Sequence, residues 1–225
     1  ARLSGFVRGQ KRFLGDIAHE LCSPLARMEM ALGVLEQRAP ADLNERITDV
    51  QDEVREMREL VNELLNFSKA GLQGKEAPLE SLDLSAIIRN VVERDRGDAE
   101  VIIDSHDDLR VLGARTLVTR AISNVIRNAV RYAGTAGPVT ISTRPHNGHV
   151  VISVTDEGPG VPPESLPQLF DAFYRPDTAR NRSTGGAGLG LAIVKTCIEA
   201  CKGTVTARNR EGSGLEVSMT LSRSV

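Results

Sequence analysis

The sequence is poor in aromatic residues, since its 225 residues include five Phe, two Tyr and no Trp. Stacking platforms for single-stranded nucleic acid depend on such side chains. It also lacks an excess of positive charge, because 28 Lys and Arg stand against 30 Asp and Glu, for a net charge of −2. The chain therefore has no positive field for phosphate backbones or anionic bilayers. We expect no nucleic-acid partner and no direct membrane binding.

Cysteine and long apolar runs are scarce as well. Cys22, Cys197 and Cys201 are too few and too unevenly placed for a disulfide framework, which favours a reducing compartment. No apolar run approaches the roughly 20 residues that cross a bilayer, and no signal peptide opens the sequence. We expect a cytosolic chain, and the initial Ala leaves room for an upstream segment.

In the first third of the chain, apolar residues recur at steps of three and four, which places them on one face of a helix. This pattern predicts two long amphipathic helices. The second is expected to begin near Leu43, where Asp42 and Glu45 resemble a capping box. The first stripe consists of Phe13, Ile17, Leu21, Leu25, Met28, Leu32 and Leu35, and the second of Ile47, Val50, Val54, Met57, Val61 and Leu64.

The connection between these helices, around Pro40, is short, so we expect an antiparallel hairpin. Each stripe is wide enough for more than one partner helix. Pairing two hairpins into a four-helix bundle would cover both stripes, which predicts a homodimer through residues 10–68. The alternative is that the hairpin packs against the rest of its own chain.

After the second stripe, Gly71, Gly74 and Pro78 interrupt the helical periodicity and suit a hinge. Beyond them, helical stretches alternate with β-branched runs from Val139 onward, and hairpin-length turns between those runs favour a mixed or antiparallel sheet. We therefore expect an α+β chain. Its parts are a helical hairpin over residues 1–70, a linker over residues 71–82 and an α/β domain over residues 83–225.

The first helix carries a candidate nucleophile. His19 projects roughly opposite the apolar stripe, so it is expected to face solvent. The carboxylate of Glu20 can accept a proton from one imidazole nitrogen while the other attacks an electrophile. Ser23 shares the face of His19, and Pro24 predicts a bend, since the stripe continues beyond it. A surface histidine without function is the alternative.

A second group of polar residues is spaced along one helix before Gly134. Asn124 and Asn128 share a face, and their amide oxygens suit Mg²⁺. Arg131 offers a charge for phosphate, and Tyr132 offers a flat surface for a base. Because Asn is a poor helix former, two in one helix favour a function over incidental amides.

Two glycine motifs flank a proline-rich segment, residues 157–186, that we interpret as a lid. Asp156, Gly158 and Gly160 follow a strand, where the backbone can approach a ligand and the carboxylate can accept from an exocyclic amine. A tight turn capped by Asp would look similar. Residues 185–191 lead into a helix, whose free amides and dipole suit phosphate. The sequence contains neither the G-x-G-x-x-G fingerprint of dinucleotide-binding folds nor the P-loop fingerprint.

In this order, the elements resemble the sensor histidine kinases of two-component signalling. The resemblance covers residues 10–222, and the lid is most similar to that of envelope-stress sensor kinases of the CpxA type. The matching segments are FLGDIAHELCSP at 13–24 (phosphoacceptor box), NVIRNAVRY at 124–132 (N box), DEGPG at 156–160 and GAGLGL at 186–191 (G boxes) and LFDAFYR at 169–175 (F box).

The resemblance implies a dimerisation and histidine phosphotransfer hairpin, followed by an α/β sandwich ATP-binding domain of the GHKL or Bergerat type. His19 would be the phosphoacceptor and Glu20 its base. Asn128 would bind Mg²⁺ with Asn124 beside it, and Asp156 would accept from the adenine amine. Other implied nucleotide contacts are Arg131 and Tyr132 in the N box and Gly158 and Gly160 in the first G box. Phe170 and Phe173 would pack the lid, and Arg175 would reach the γ-phosphate. The phosphates would also contact Gly186, Gly188, Leu189 and Gly190.

The implied function is ATP-dependent autophosphorylation of His19, phosphotransfer to an Asp of a response-regulator receiver domain, and dephosphorylation of that regulator. The implied setting is the cytoplasmic portion of an inner-membrane sensor anchored through upstream segments. Cys22 replaces a frequent basic residue and Ser23 the usual Thr, a position that assists dephosphorylation. Two alternatives are an ATPase of the same superfamily and a dimeric nucleotide-sensing scaffold without phosphotransfer. The adjacent His19 and Glu20 argue against both.

Overall fold

The structure, a computed structural model, describes residues 2–73, 77–105, 108–133, 136–176 and 187–224. Within these ranges it does not describe the side chains of residues 2–16, 18, 19, 41 and 69–73. The chain divides into two compact units between Leu72 and Gln73. Each unit has its own buried apolar residues.

The N-terminal unit is a hairpin of two long helices. Helix α1 spans Arg2–Glu36, helix α2 spans Asn44–Gln73, and a 3₁₀ turn over Ala41–Leu43 precedes α2. As expected, α1 continues through Pro24 instead of ending there. It begins well before the apolar stripe, because an established helix extends at one hydrogen bond per residue. In the described ranges, no helix combines the length and the hydropathy that crossing a lipid bilayer requires.

Only part of each apolar stripe lies between the two helices. Leu25, Val54 and Val61 are buried there, and Cys22 packs against them with leucines of both helices. Arg58 forms an ion pair with Glu29 at 3.0 Å, and Gln51 donates to Glu36 at 2.8 Å, which fixes the antiparallel register. Six other members of the stripes are exposed in the single chain, whereas Leu32, Ile47 and Leu64 are half-buried. The exposed members are Ile17, Leu21, Met28 and Leu35 on α1, and Val50 and Met57 on α2.

The C-terminal unit is built on a five-stranded sheet with the strand order β2-β4-β5-β7-β6. Strand β2 pairs with β4 in parallel and the other neighbours are antiparallel, so the expected mixed sheet is confirmed. A separate antiparallel pair joins β1 and β3. The elements are β1 (Glu80–Asp83), α3 (Leu84–Asp95), β2 (Val101–Ser105), β3 (Arg110–Gly113), α4 (Arg115–Ala133), β4 (Val139–His146), β5 (His149–Thr155), α5 (Gly190–Ala200), β6 (Thr204–Asn209) and β7 (Leu215–Ser222).

Helices cover one face of the five-stranded sheet. Alternate side chains of the central strands are buried, among them Ile141, Ile152 and Met219, and their neighbours are half-buried. Helix α4 packs against β4 and β5, α5 packs against β6 and β7, and α3 packs against α4. This two-layer arrangement confirms the expected α/β sandwich.

Three short strands were not expected from the sequence. Strands β1 and β3 have four residues each, and β2 exposes both Ile102 and Ile103, so it lacks the alternation of a half-buried strand. The expected linker over residues 71–82 also contains the end of α2 and most of β1. Helix α2 passes Gly71, because one glycine weakens a helix by only about 1 kcal/mol.

The hairpin core predicts a difference between two leucine-sized residues of α1. Replacing Leu25, which is 6% exposed, by Ala should lower the free energy of unfolding of the N-terminal unit by about 2–4 kcal/mol, because a cavity remains. The control, Met30→Ala at a side chain 74% exposed, should change it by less than about 0.5 kcal/mol. Urea unfolding followed by circular dichroism measures both, and equal losses would contradict the assigned core.

Candidate nucleotide site

Helix α4 carries the four polar residues expected from the N box. Asn124 is buried, Asn128 and Tyr132 are half-buried, and Arg131 is exposed. Asn124 and Tyr132 are eight residues apart, which is about 12 Å along a helix at 1.5 Å per residue. The helix therefore offers polar groups at two separated points of one side of the C-terminal unit.

The amide of Asn124 is already engaged within α4. Its Nδ2 donates to the carbonyl oxygen of Arg120 at 2.8 Å, and Nη2 of Arg127 donates to its Oδ1 at 3.2 Å. This geometry does not support the expected metal role of Asn124, because a guanidinium repels a cation at the same oxygen. For the side chain of Asn128, no hydrogen bond occurs among the described residues. Its amide oxygen remains the better metal ligand.

Asp156 directly follows β5, and its side chain is only 4% exposed. The Oδ1 atom accepts from the backbone N–H of Gly158 at 2.9 Å and from that of Leu215 at 3.1 Å. Both bonds use the same oxygen. Oδ2 therefore remains available as an acceptor for a donor outside the chain.

The environment of Asp156 shifts its ionisation. Burial raises the pKa of this carboxyl above its usual value, against the two backbone hydrogen bonds and the charge of Arg210, which lower it. Desolvation is the largest of these effects, and the charge of Glu157 also raises the pKa. A partly desolvated carboxylate forms a strong hydrogen bond with a ligand N–H group.

The glycine at position 158 joins this turn to α4. A Cβ atom there would lie 2.6 Å from the carbonyl oxygen of Tyr132 and 3.0 Å from Oδ1 of Asp156. Only glycine allows that approach without displacing backbone. The structure therefore brings together three expected site residues, Asp156, Gly158 and Tyr132.

The second glycine motif meets the other end of the row of polar residues on α4. Gly190 begins α5, and a Cβ atom on it would lie 3.9 Å from Oδ1 of Asn124. The N-terminus of α5, with its free amides, is therefore beside the N box. Leu189 is completely buried, so its expected contact with a nucleotide is possible through its backbone alone. Gly186 lies outside the described residues.

The described part of the lid, residues 157–176, contacts the second glycine motif near position 173. The backbone N–H of Phe173 donates to the carbonyl oxygen of Gly188 at 3.0 Å, and the hydroxyl of Tyr174 donates to buried Ser165 at 3.0 Å. Phe170 is half-buried, whereas Phe173 is 58% exposed. Among the described residues of the lid, Phe173 is therefore not packed, and its backbone is left-handed with φ of 67°.

Arg175 follows at the same end of the lid. Its Cγ lies 3.1 Å from the position of a Cβ atom on Gly188. The side chain is half-buried and lies beside the glycine motif. Arg175 and Gly188 are thus also brought together.

The phosphoacceptor region lies in the other unit. The backbone of His19 belongs to α1, and its side chain is outside the described part. Glu20 and Ser23 are exposed, and the Ser23 hydroxyl accepts from Nη1 of Arg27 at 2.7 Å. Cys22 packs towards the hairpin core and so differs in orientation from its two polar neighbours.

Sequence reasoning missed the turn between β6 and β7. Asn209 binds both backbone polar groups of Val161, Arg210 pairs with Glu157, and Gly214 lies against Asp156. The only signal was the pair of glycines at 212 and 214, which is also typical of an ordinary hairpin turn. The contacts depend on strand pairing and not on local pattern.

Helices cover a mixed sheet, and two segments lie beside α4: the turn of residues 156–160, called the acidic turn below, and the glycine-rich start of α5. This arrangement is that of a nucleotide-binding ATPase domain. Residues 113–225 match the family of histidine kinase-, DNA gyrase B- and HSP90-like ATPases. Residues 10–73 match the His kinase A (phospho-acceptor) domain. The chain belongs to the sensor histidine kinases, and its C-terminal unit is an ATP-binding domain of that family.

Curated relatives are similar over nearly the whole chain. The sensor-like histidine kinase SenX3 of Mycobacterium tuberculosis is 34% identical over 94% of this chain and 53% of its own length. The sensor histidine kinase CpxA of Escherichia coli is 32% identical over 96% of this chain and 47% of its own. The chain therefore spans about half the length of these relatives.

Solved structures agree with this assignment. Full-length ShkA in complex with AMPPNP superposes with a TM-score of 0.75 at 26% identity, over 95% of this chain and 46% of that one. The mycobacterial sensor histidine kinase MprB superposes with a TM-score of 0.59 at 28% identity, over 64% of this chain and 98% of that one. The fold of both units is thus found among histidine kinases.

The raised pKa of Asp156 predicts a pH-dependent stability difference. A carboxyl whose pKa is higher in the folded state than in the unfolded state destabilises the fold as it ionises, so wild-type stability falls as pH rises from about 3.8 through the folded pKa. Asp156→Asn keeps an acceptor for Gly158 and Leu215 but does not titrate. The free energy of unfolding of this variant minus that of the wild type should therefore rise over this pH window and then level off. Urea unfolding at a series of pH values from about 3.5 to about 8, a range that spans ordinary and raised carboxyl pKa values, measures this difference. A difference that decreases as pH rises would contradict the assignment.

Proposed function

We propose that this chain is the catalytic core of a sensor histidine kinase that phosphorylates its own His19 from ATP and passes the phosphoryl group to an Asp of a response-regulator receiver domain. The observation that carries the proposal is the buried Asp156, whose Oδ1 is fixed by two backbone donors while Oδ2 is left for a ligand. Residues 10–73 match a phosphoacceptor domain. A carboxylate that binds adenine in the same chain as this domain supports a kinase.

The adenine end of ATP is assigned to the turn after β5. Asp156 accepts from the exocyclic amine, and Gly158 and Gly160 keep the adjoining backbone free of side chains. Tyr132 borders the base, because its carbonyl oxygen lies against Gly158. The phosphates then extend from the base along α4 towards the start of α5.

The phosphate end is assigned to Asn128, Arg131 and the start of α5. Gly188, Leu189 and Gly190 contribute backbone, Gly186 extends the same segment, and Arg175 reaches the γ-phosphate from the lid. Described residues include no group of three or more His, Cys, Asp or Glu that could hold a metal ion. A single amide ligand fits Mg²⁺, which commonly binds through few protein groups together with substrate phosphates and water. When bound, Mg²⁺ would neutralise phosphate charge.

The transfer is an in-line displacement. One imidazole nitrogen of His19 attacks the γ-phosphorus, the bond to the bridging oxygen breaks, and ADP leaves with that electron pair. The other nitrogen loses its proton to Glu20, which lies next in the chain and is exposed. The main contribution of the protein to this step is to position the imidazole in line with the γ-phosphorus.

The partners follow from the exposed surface of the hairpin. Leu21, Met28 and Leu35 form an apolar line on α1 that a second copy would bury, which supports a homodimer. The receiver domain docks on the hairpin near His19, and its Asp accepts the phosphoryl group. Ser23 supports dephosphorylation of the regulator, with Arg27 orienting its hydroxyl.

Labelling with γ-labelled ATP tests the transfer. His19→Ala should abolish protein labelling and leave the dissociation constant for ATP unchanged within about twofold, because the variant removes only the acceptor. His149→Ala, at an exposed histidine that begins β5, is the matched control and should label normally. Retained labelling of His19→Ala would refute the phosphoacceptor. Unlabelled wild-type protein that hydrolyses ATP would support the ATPase alternative instead.

Ultracentrifugation tests the dimer. Met28→Asp should convert the dimer to a monomer at micromolar concentration, because it would bury a carboxylate in an apolar seam. Met30→Asp, an equal substitution at a more exposed methionine two residues on, should remain dimeric. Circular dichroism checks that both variants stay helical. Dimers of Met28→Asp as stable as the wild type would contradict this seam.

A further inference from the structure

The side chain of Asn209, the last residue of β6, forms two hydrogen bonds with the backbone of a single residue, Val161. The N–H of Val161 donates to Oδ1 of Asn209 at 3.0 Å, and Nδ2 of Asn209 donates to the carbonyl oxygen of Val161 at 2.7 Å. Val161 comes directly after Gly160, the last residue of the acidic turn. An amide is the side chain that can accept and donate in this way.

The backbone around Val161 has few other ways to be fixed. Pro159 and Pro162 have no N–H group, and residues 156–162 belong to no strand or helix. Gly160 has a left-handed φ of 70°, and a Cβ atom on it would lie 2.9 Å from Oδ1 of Asn209. The end of the acidic turn therefore depends on a residue 48 positions later in the chain.

The same β6–β7 turn also contacts the beginning of the acidic turn. Nη1 of Arg210 pairs with Oε1 of Glu157 at 2.7 Å, and both side chains are partly exposed. A Cβ atom on Gly214 would lie 1.9 Å from the carbonyl oxygen of Asp156, so the two backbones touch. The next residue, Leu215, donates its N–H to Oδ1 of Asp156.

We propose that Asn209 is a positioning residue for adenine recognition, which acts by fixing Val161 and thereby the Asp156–Gly160 turn. The inference rests on the proposed function, because it assumes that Asp156 accepts from the 6-amino group of adenine. Asn209 itself contacts backbone of this chain and no reacting atom. Its loss allows the turn to move, so Oδ2 of Asp156 meets the amine less often.

The proposal specifies which nucleotides are affected. A hydrogen bond from the 6-amino group distinguishes ATP from purine riboside triphosphate, which has hydrogen at that position. Both nucleotides have the same ribose and phosphates. A change confined to the adenine end therefore alters the ratio of their dissociation constants, whereas general loss of the fold weakens both nucleotides equally.

The experiment measures the dissociation constants of ATP and purine riboside triphosphate by calorimetry. Wild-type protein should prefer ATP by at least about tenfold, the value of one hydrogen bond to a charged acceptor. Asn209→Ala should reduce this preference to about threefold or less and raise KM for ATP. Its labelling rate at saturating ATP should remain within about twofold of the wild type. In the Asp156→Asn background, Asn209→Ala should have no further effect on the ratio.

Two further variants guard against a purely structural effect. Asn209→Asp has nearly the same shape and keeps the acceptor but loses the donor to Val161, so it should lower the preference for ATP even if Asn209→Ala fails to fold. Asn147→Ala removes an amide from the β4–β5 turn, which is the matched control, and should keep the wild-type ratio.

Three outcomes would overturn the inference. An unchanged ratio in a folded Asn209 variant shows that the hydrogen bonds between Asn209 and Val161 do not serve adenine recognition. Equal weakening of both nucleotides shows a structural role alone. Absence of any preference in the wild type refutes the adenine role of Asp156 in the proposed function, and this inference with it, whereas the first two outcomes leave that role intact.

Discussion

The constraint on which the candidate site depends is a carboxylate buried at the end of a strand. Folding removes the carboxylate of Asp156 from water, and hydrogen bonds from two backbone N–H groups only partly replace its hydration. One donor comes from its own turn and the other from the start of β7, so the carboxylate is correctly placed only when both segments are folded. Recognition of a ligand and completion of the sheet thus require the same contacts.

Much of this organisation could be predicted from the sequence, and the exceptions have physical reasons. Periodicity predicted the helices of the hairpin and the mixed sheet, because burial on one face repeats at regular intervals. The DxGxG turn after β5 was predicted because its glycines allow a close backbone approach and its Asp offers an acceptor, although an ordinary Asp-capped turn has the same pattern. Pattern could not show that Asn124 is engaged by Arg127, that Leu189 is buried or that Phe173 is exposed. These depend on three-dimensional packing, which a sequence pattern does not contain.

Contacts distant in sequence were also out of reach. Asn209 reaches Val161, and Leu215 reaches Asp156 across 59 positions, through the pairing of β5 and β7. A short sequence window contains no trace of such pairs. The unpredicted strands have the same origin, since β1 and β3 are four-residue segments that exist because they pair with one another.

The exposed line on α1 has a consequence for the proposed dimer. Leu21, Met28 and Leu35 recur every seven residues, whereas a straight α-helix has about 3.6 residues per turn and drifts by roughly 20° over that interval. Two such helices keep their lines in contact only by coiling around each other with a left-handed supercoil. A change of winding introduced at one end of the pair would then rotate the residues further along, and the backbone of His19 belongs to the same helix.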